Sequence, residues 1–149
     1  MSELSDLYQE IILDHNRRPR NYGKLDHPTH QAQGHNPLCG DEISVFIKLA
    51  DGRITDITFD GQGCAISKAS ASLMTSRLKG KTLEEVRSVA SDVRQLLTGP
   101  EGEAVDLEKL GDLAALEGVR KYAVRVKCAT LAWHALEAAL EGSQETTTE

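Results

Sequence analysis

Residues 41–64, DEISVFIKLADGRITDITFDGQGC, contain the pattern that decides the fold. Aliphatic residues occupy every second position in the first part of this stretch, which is the period of a strand with one buried face. The dipeptide Asp51-Gly52 supplies the residue types that a tight hairpin turn favours. Residues 54–60 predict the returning strand, with Ile57 and Phe59 directed inward. An antiparallel hairpin is therefore the centre of the predicted structure.

Helices are predicted on both sides of the hairpin in the chain. The spacing of apolar residues predicts four of them, at about residues 3–15, 65–79, 82–97 and 127–141. The third begins at Thr82, which has the spacing of a capping box with Glu85. Val124 and Val126 alternate with basic residues and predict an extended lead-in to the last helix.

Three other segments are less regular. Residues 24–38 predict an irregular stretch with one short edge strand, and the acidic residues 99–118 predict a short helix or two on the surface. Residues 142–149 are polar and predict a disordered tail behind a domain that covers 1–141. The predicted fold class is α+β, with a small antiparallel sheet of about three strands packed on one face by several helices in a single domain.

Composition and charge exclude several classes of function. The 149 residues carry a net charge of −6, and a nucleic-acid surface requires clustered lysine and arginine instead. Arg17, Arg18 and Arg20 form a short basic cluster that suits a protein partner better. No apolar run approaches the roughly 20 residues of a membrane span. Three cysteines fit a disulfide framework poorly, so we expect a cytoplasmic protein. From the charge and the absence of a long apolar run, we expect it to bind neither nucleic acid nor membranes.

The candidate site consists of Cys39, Asp41, Cys64 and Cys128, the one soft-metal ligand set in the sequence. Thiolates suit zinc, copper(I) and iron–sulfur clusters, and a carboxylate can complete a four-coordinate site. Cys39 lies in a predicted loop, with Asp41 on the same side of an extended backbone. Cys64 and Cys128 are predicted near helix starts, where the dipole favours thiolate. We therefore expect the fold to bring these four residues together at one exposed end.

Simpler interpretations compete with a metal site. A single free cysteine is more often a small core residue than a ligand, and Cys128 also continues the apolar stripe of its helix. His134 lies about 240° around that helix from Cys128, so both side chains cannot easily face one ion. His35 is able to reach the site from its loop but is expected at the surface. A thiol-protease pair of Cys39 and His35 lacks an orienting third group. The remaining histidines are expected to be solvated: His15, His27 and His30.

The sequence resembles the IscU/SufU family of iron–sulfur cluster assembly proteins, which have a NifU N-terminal-like domain. The likeness covers nearly the whole chain to about residue 142, and five stretches carry it: Leu7 to His15, Pro19 to Asn21, Cys39 to Asp41, Gly61 to Ser72, and Val126 to Ala129. Lys127 stands where IscU proteins carry a histidine, and their Leu-Pro-Pro-Val-Lys string is absent. Residues 99–118 resemble the insertion of SufU proteins. These departures indicate the SufU branch.

The resemblance implies a sulfur acceptor that works with a pyridoxal-phosphate-dependent, SufS-type cysteine desulfurase and with other iron–sulfur assembly proteins. It implies Zn²⁺ held by Cys39, Asp41, Cys64 and Cys128. We expect Cys39 to receive the sulfur because Pro37 and Gly40 place it on a loop. We also expect Arg125 and Lys127 to compensate the negative charge of the site. Two alternatives remain open. One is a scaffold on which iron and sulfide form a labile [2Fe–2S] cluster, and the other is a purely structural zinc module. Whether the chain is an enzyme, a zinc-dependent sulfurtransferase, is left open.

Overall fold

A computed structural model describes residues 3–38, 40–99, 107–142 and 145–148. Its elements, in chain order, are α1 Glu3–Arg17, β1 His30–Asn36, β2 Asp41–Ala50, β3 Arg53–Gln62, α2 Ala65–Leu78, α3 Leu83–Thr98, α4 Leu107–Leu110, a 3₁₀ helix Gly111–Val119, α5 Ala123–Leu140 and β4 Glu145–Thr147. Within these ranges, no helix combines the length and the apolar character needed to cross a bilayer.

The four strands form one mixed sheet in the order β3-β2-β1-β4. The first three strands are antiparallel, and β4 runs parallel to β1. Asp51 and Gly52 have φ angles of 53° and 73°, as a tight hairpin with two left-handed central residues requires. The hairpin prediction and the α+β fold class are both confirmed.

One face of the hairpin is buried under helices α2 and α5. Its six inward side chains have no exposed surface: Ile43, Val45, Ile47, Ile54, Ile57 and Phe59. A shift in register between Lys48 and Leu49 lets Ile54 and Ile57 face inward although they are three positions apart. The buried row on β2 therefore has a matching row on β3, and the helices close over both.

The segment after α3 is not at the surface as predicted. Leu113 and Leu116 of the 3₁₀ helix are buried in the core, which their spacing of three allows. Residues 100–106 of the acidic stretch lie outside the described residues.

The four longer helices agree with the prediction except at the start of the last one. Thr82 forms the predicted capping box, since its hydroxyl accepts from the Glu85 N–H and the Glu85 side chain accepts from the Thr82 N–H. The extended lead-in is wrong, because α5 already begins at Ala123. The Val126 N–H donates to the Tyr122 carbonyl oxygen over 3.0 Å, which is a helical bond. Tertiary packing of Val126 against the core outweighs the extended preference of the two valines.

Strand β1 replaces the predicted irregular stretch and is internal, not an edge. Its inward positions are Ala32, Gly34 and Asn36, so no apolar alternation marks it in the sequence. A Cβ atom on Gly34 would lie 3.0 Å from Leu131 Cδ1 and 3.4 Å from the Thr146 side chain. A larger residue at position 34 would therefore have to displace the Leu131 side chain of α5, whereas its contact with β4 would be ordinary.

The prediction of a disordered tail is wrong for residues 145–148. Residues 145–147 form β4, whose partners on β1 are Gln33, Gly34 and His35. The Thr148 N–H donates to the His35 carbonyl oxygen over 3.1 Å. Backbone pairing orders this polar segment without any apolar side chain, and for that reason composition does not indicate it.

Candidate metal centre

The candidate site lies at the end of the sheet where β1 and β2 meet. Asn36 and Asp41 are directly opposite each other in the antiparallel pair. Both continue the inward rows of their strands and are almost fully buried, with 1% and 2% exposed surface. The apolar row of the core therefore ends in two polar side chains that are enclosed by the protein.

Two of the predicted cysteines join Asp41 at this end of the sheet. The side-chain ligand atoms of Asp41, Cys64 and Cys128 all lie within 4.8 Å of one another. They come from the first residue of β2, the N-cap of α2 and the second turn of α5. Convergence from three separate elements supports a built site over chance proximity of core cysteines.

The trio is less open to water than the sequence predicted. Asp41 and Cys128 are buried, and Cys64 alone of the three is partly exposed. Cys64 is at a helix start, as predicted. Cys128 is the sixth residue of α5, beyond the unpaired N–H groups at the helix start. The helix dipole argument therefore applies to Cys64 and not to Cys128.

Three donors fix the Asp41 carboxylate at the N-terminus of α2. The Cys64 backbone N–H donates to Oδ1 over 3.0 Å, and the Ser67 hydroxyl donates to Oδ2 over 2.8 Å. The Asn36 amide donates more weakly to Oδ2, over 3.4 Å. A carboxylate at this end of a helix is stabilised by the helix dipole as well as by these bonds. Gly63 leaves room for the Asp41 carboxylate, because a Cβ atom at this position would lie only 3.1 Å from Asp41 Oδ1.

Asn36 also contacts Cys128, the second buried residue of the trio. Its Nδ2 group donates to Cys128 Sγ over 3.5 Å, and its Oδ1 atom accepts from the Thr148 hydroxyl over 3.1 Å. Ser67 Oγ lies 3.6 Å from Cys64 Sγ. Asn36 and Ser67 therefore touch a sulfur atom as well as the carboxylate.

The donor set fits a soft divalent cation. Two sulfur atoms and a carboxylate oxygen are zinc ligands, and tetrahedral zinc keeps its ligand atoms about 3.3 to 3.8 Å apart. The 4.8 Å limit within the trio needs only small side-chain movements to reach that geometry. The hydrogen bonds to Asp41 supply the orienting partners that metal ligands usually have.

Cys39, the fourth predicted ligand, lies outside the described residues. The chain is described on both sides of it. Leu38 is exposed, and Gly40 has a φ angle of 71° with its N–H bonded to the Asn36 carbonyl oxygen. A tetrahedral ion on the trio requires one more ligand. The role of Cys39 therefore stays a prediction.

The histidines do not contribute to the group of ligand atoms found in the described part of the chain. His35 is on β1 beside Asn36, so its side chain points to the opposite face of the sheet, 3.5 Å from Glu42. His134 is half-buried in a groove of about 500 Å³ between α3 and α5. Burial is the main cause that lowers the pKa of His134.

His15 is buried, which contradicts the prediction that it is solvated. Its Nδ1 atom shares a 2.7 Å hydrogen bond with the Ser72 hydroxyl, to which the Arg20 N–H also donates. Burial, and secondarily the Arg20 charge, lowers the pKa of His15 below 6.5, whereas Asp112 and Asp14 oppose that shift. This histidine ties α1 to α2 and is not a ligand.

The basic residues near Cys128 do not neutralise the carboxylate. Lys127 lines the groove between α3 and α5, and Arg125 lies over the Tyr122 ring at 5.3 Å. Neither forms an ion pair with Asp41 in the ranges that the structure describes. Uncharged donors, including the Asn36 amide and the Ser67 hydroxyl, surround the Asp41 carboxylate instead.

Sequence reasoning missed Asn36 and Ser67. Ser67 follows Cys64 by three residues, the spacing at which helix-start side chains meet, and this spacing was a usable signal. Asn36 lies five residues before Asp41 and shows no pattern of its own. Only the pairing of β1 with β2 brings these two residues together.

The fold and site define a class: a small α+β domain that gathers cysteines and an aspartate at one end of its sheet. Residues 7–129 match the family of NifU-like N-terminal domains. Because this match covers most of the chain, the protein belongs to that family.

The relatives carry two kinds of name. The chain is 41% identical over 143 residues to the iron–sulfur cluster assembly scaffold protein IscU of Streptococcus pyogenes serotype M1, covering 96% of this chain and 88% of that protein. It is 43% identical over 136 residues to the zinc-dependent sulfurtransferase SufU of Bacillus subtilis strain 168, covering 91% and 90%. A crystal structure of a candidate iron–sulfur assembly scaffold for the SUF system from Fervidobacterium islandicum AW-1 superposes with a TM-score of 0.82 at 32% identity, covering 94% and 99%. The identities to the IscU and the SufU protein, 41% and 43%, are too similar to separate the two types.

Proposed function

We propose that this protein is a zinc-binding sulfur acceptor of the SufU type that serves iron–sulfur cluster assembly. The observation that carries the proposal is the convergence of Asp41, Cys64 and Cys128 within 4.8 Å, at the end of a helix that favours negative charge. The 43% identity to a zinc-dependent sulfurtransferase supports it. Lys127 and the acidic insertion of residues 99–118 favour the same branch by resemblance.

Cys39, Asp41, Cys64 and Cys128 would hold the zinc ion. Bound zinc keeps cysteines deprotonated, and thiolate is the form that attacks sulfur. Cys128 is buried in α5 and Cys64 occupies the N-cap position of α2, so the backbone of neither is free to move far. The residues around Cys39 are exposed on both sides. Cys39 is therefore the proposed acceptor.

The proposed transfer exchanges one sulfur–sulfur bond for another. The Cys39 thiolate attacks the outer sulfur of a cysteine persulfide on a desulfurase, and the donor's sulfur–sulfur bond breaks. The donor cysteine leaves as a thiolate, while the outer sulfur stays on Cys39 as a new persulfide. No net oxidation or reduction occurs, so no further reactant is required.

A desulfurase assay with metal analysis tests this function. We expect one zinc per chain, faster desulfurase turnover when the protein is added, and the first added sulfur on Cys39 by mass spectrometry. Cys39→Ala should abolish the acceleration, whereas the exposed control Ser91→Ala should not. Unchanged turnover with Cys39→Ala, together with lower stability, would instead indicate a structural zinc module.

The second candidate is a scaffold for a [2Fe–2S] cluster, favoured by 41% identity to a protein named as such. Here iron and sulfide are the cargo and occupy the same side chains. Isolation without oxygen separates the two candidates, because a scaffold should yield iron and acid-labile sulfide in place of zinc.

A further inference from the structure

Both polar groups of the Asn36 side chain, the amide nitrogen and the amide oxygen, form hydrogen bonds at the site. Its Nδ2 atom, which carries two hydrogens, donates to Asp41 Oδ2 over 3.4 Å and to Cys128 Sγ over 3.5 Å. Its oxygen accepts from the Thr148 hydroxyl at 3.1 Å. One buried amide thus contacts two ligands on one side and the C-terminal segment on the other.

This arrangement has a preferred orientation. If the amide turned over, its oxygen would face the carboxylate oxygen of Asp41 and the sulfur of Cys128, both of which are electron-rich. The Thr148 hydroxyl adds a donor on the remaining side, which matches the amide oxygen in the observed orientation. The hydroxyl therefore helps to select the rotamer in which Asn36 donates to both ligands.

Backbone contacts hold Thr148 in place. β4 pairs in parallel with β1 up to His35, and the Thr148 N–H then donates to the His35 carbonyl oxygen. Within this pairing, Gly34 of β1 is the register partner of Thr146. The C-terminal strand is thus fixed next to the residue that it contacts at the site.

We propose that the C-terminal strand supports the metal centre, with Thr148 and Asn36 acting as positioning residues for Asp41 and Cys128. Through the bond from Thr148 to Asn36 and the two bonds from Asn36 to Asp41 and Cys128, β4 and the residue after it slow metal release and limit access to the Cys128 sulfur. The inference rests on the proposed metal binding, and it assigns a role to residues that contact no metal themselves.

Zinc release from the loaded full-length protein into excess chromophoric chelator tests the inference. Loss of a residue that hydrogen-bonds to a metal ligand typically changes metal affinity about 10- to 100-fold. We therefore expect zinc release from Asn36→Ala to be about 10- to 100-fold faster. For Thr148→Val, one step further from the metal, we expect release to be about 3- to 10-fold faster. A chain ending at Gly142 should behave like Thr148→Val, and Thr148→Ser should keep the original rate because it retains the hydroxyl.

Thr55→Val is the matched control, since it removes a hydroxyl bonded to the Lys48 carbonyl oxygen on the distant hairpin turn. Release from Thr148→Val at the rate of this control would overturn the inference. If the unaltered protein takes up no zinc, the proposed function fails, and alkylation of Cys128 in the metal-free protein then decides the inference. Thr148→Val should speed that alkylation about 3- to 10-fold, and an unchanged rate would refute the role of β4.

Discussion

The two ends of β2 bury side chains of opposite character in one continuous row. Val45 and Ile47 belong to the buried apolar core, whereas Asp41 occupies the same inward face as a buried carboxylate. Burial of an apolar side chain stabilises the fold by itself, at about 1.5 to 3 kcal/mol each. A buried carboxylate costs free energy unless its oxygens are bonded.

The difference shows how the site depends on the rest of the fold. The apolar end of β2 needs only a covering surface, and α5 and α2 provide it. Asp41 needs donors from α2 and from β1, at defined positions and distances. The polar end therefore depends on the correct relative positions of several elements. This is expected of a site that serves binding rather than stability.

The largest expected effect on stability is at the apolar end. Ile47→Ala removes a fully buried side chain and should lower the free energy of unfolding by about 2 to 5 kcal/mol. Lys48→Ala, the neighbouring residue on the outer face, should change it by less than about 0.5 kcal/mol. Chemical denaturation of the metal-free protein measures both. Equal effects would contradict the burial of Ile47.

The next effect concerns the close approach of β2 and β3 beside the site. A Cβ on Gly61 would lie 2.1 Å from the Glu42 carbonyl oxygen, and the φ angle of Gly61 is 128°. Gly61→Ala should therefore lower the free energy of unfolding by about 2 to 4 kcal/mol. Gly80→Ala is the control, because Gly80 also has a positive φ but no atom within 4 Å of its Cβ position.

The comparison of these two glycines separates strain from collision. Gly80→Ala should cost only about 1 to 2 kcal/mol, the cost of the backbone conformation. If both variants lose the same stability, the strands are not held as closely at Gly61 as the structure indicates. Gly61→Ala should also weaken zinc binding, because Cys64 follows three residues later.

Asp41→Ala should affect stability less and metal binding more. Its removal leaves the Cys64 N–H and the Ser67 hydroxyl without their acceptor, which costs about 1 to 3 kcal/mol. Zinc affinity should fall by more than the roughly 100-fold upper range for loss of a ligand's partner. Competition with a chelator measures the affinity, and Asp60→Ala, on the outer face of β3, is the matched control. Equal zinc affinity in both variants would exclude Asp41 as a ligand.

The same contrast explains what the sequence could predict. Period-two alternation identifies β2 and β3, and the helical spacing and capping box identify α3, because apolar burial leaves a periodic pattern. Cys64, Cys128 and Asp41 can be selected from the sequence as candidate ligands by their chemical type. Their convergence supports the prediction, although Cys39 lies outside the described residues.

What the sequence could not predict depends on contacts between distant segments. Gly34 and its neighbours on β1 are small or polar, so this strand shows no apolar period. β4 is ordered by backbone pairing, which composition does not encode. Asn36 contacts residues 5, 92 and 112 positions away, and such contacts follow from topology alone.

The smallest expected effect concerns a buried polar residue outside the site. His15 is 6% exposed, and burial lowers the pKa of its imidazole below the ordinary 6.5. The unfolded chain therefore binds a proton at this histidine more readily than the folded chain does. The contribution of neutral, buried His15 to the free energy of unfolding is complete above about pH 6.5, and it is lost as the pH falls below that value. His15→Gln should reduce this slope by at most about 1.4 kcal/mol per pH unit, the limit for one proton. Ser91→Ala, at an exposed position and without a titratable group, should leave the slope unchanged. Denaturation of the metal-free protein between pH 5 and 7 would show both, and equal slopes in the two variants would mean that His15 is accessible to protons in the folded state.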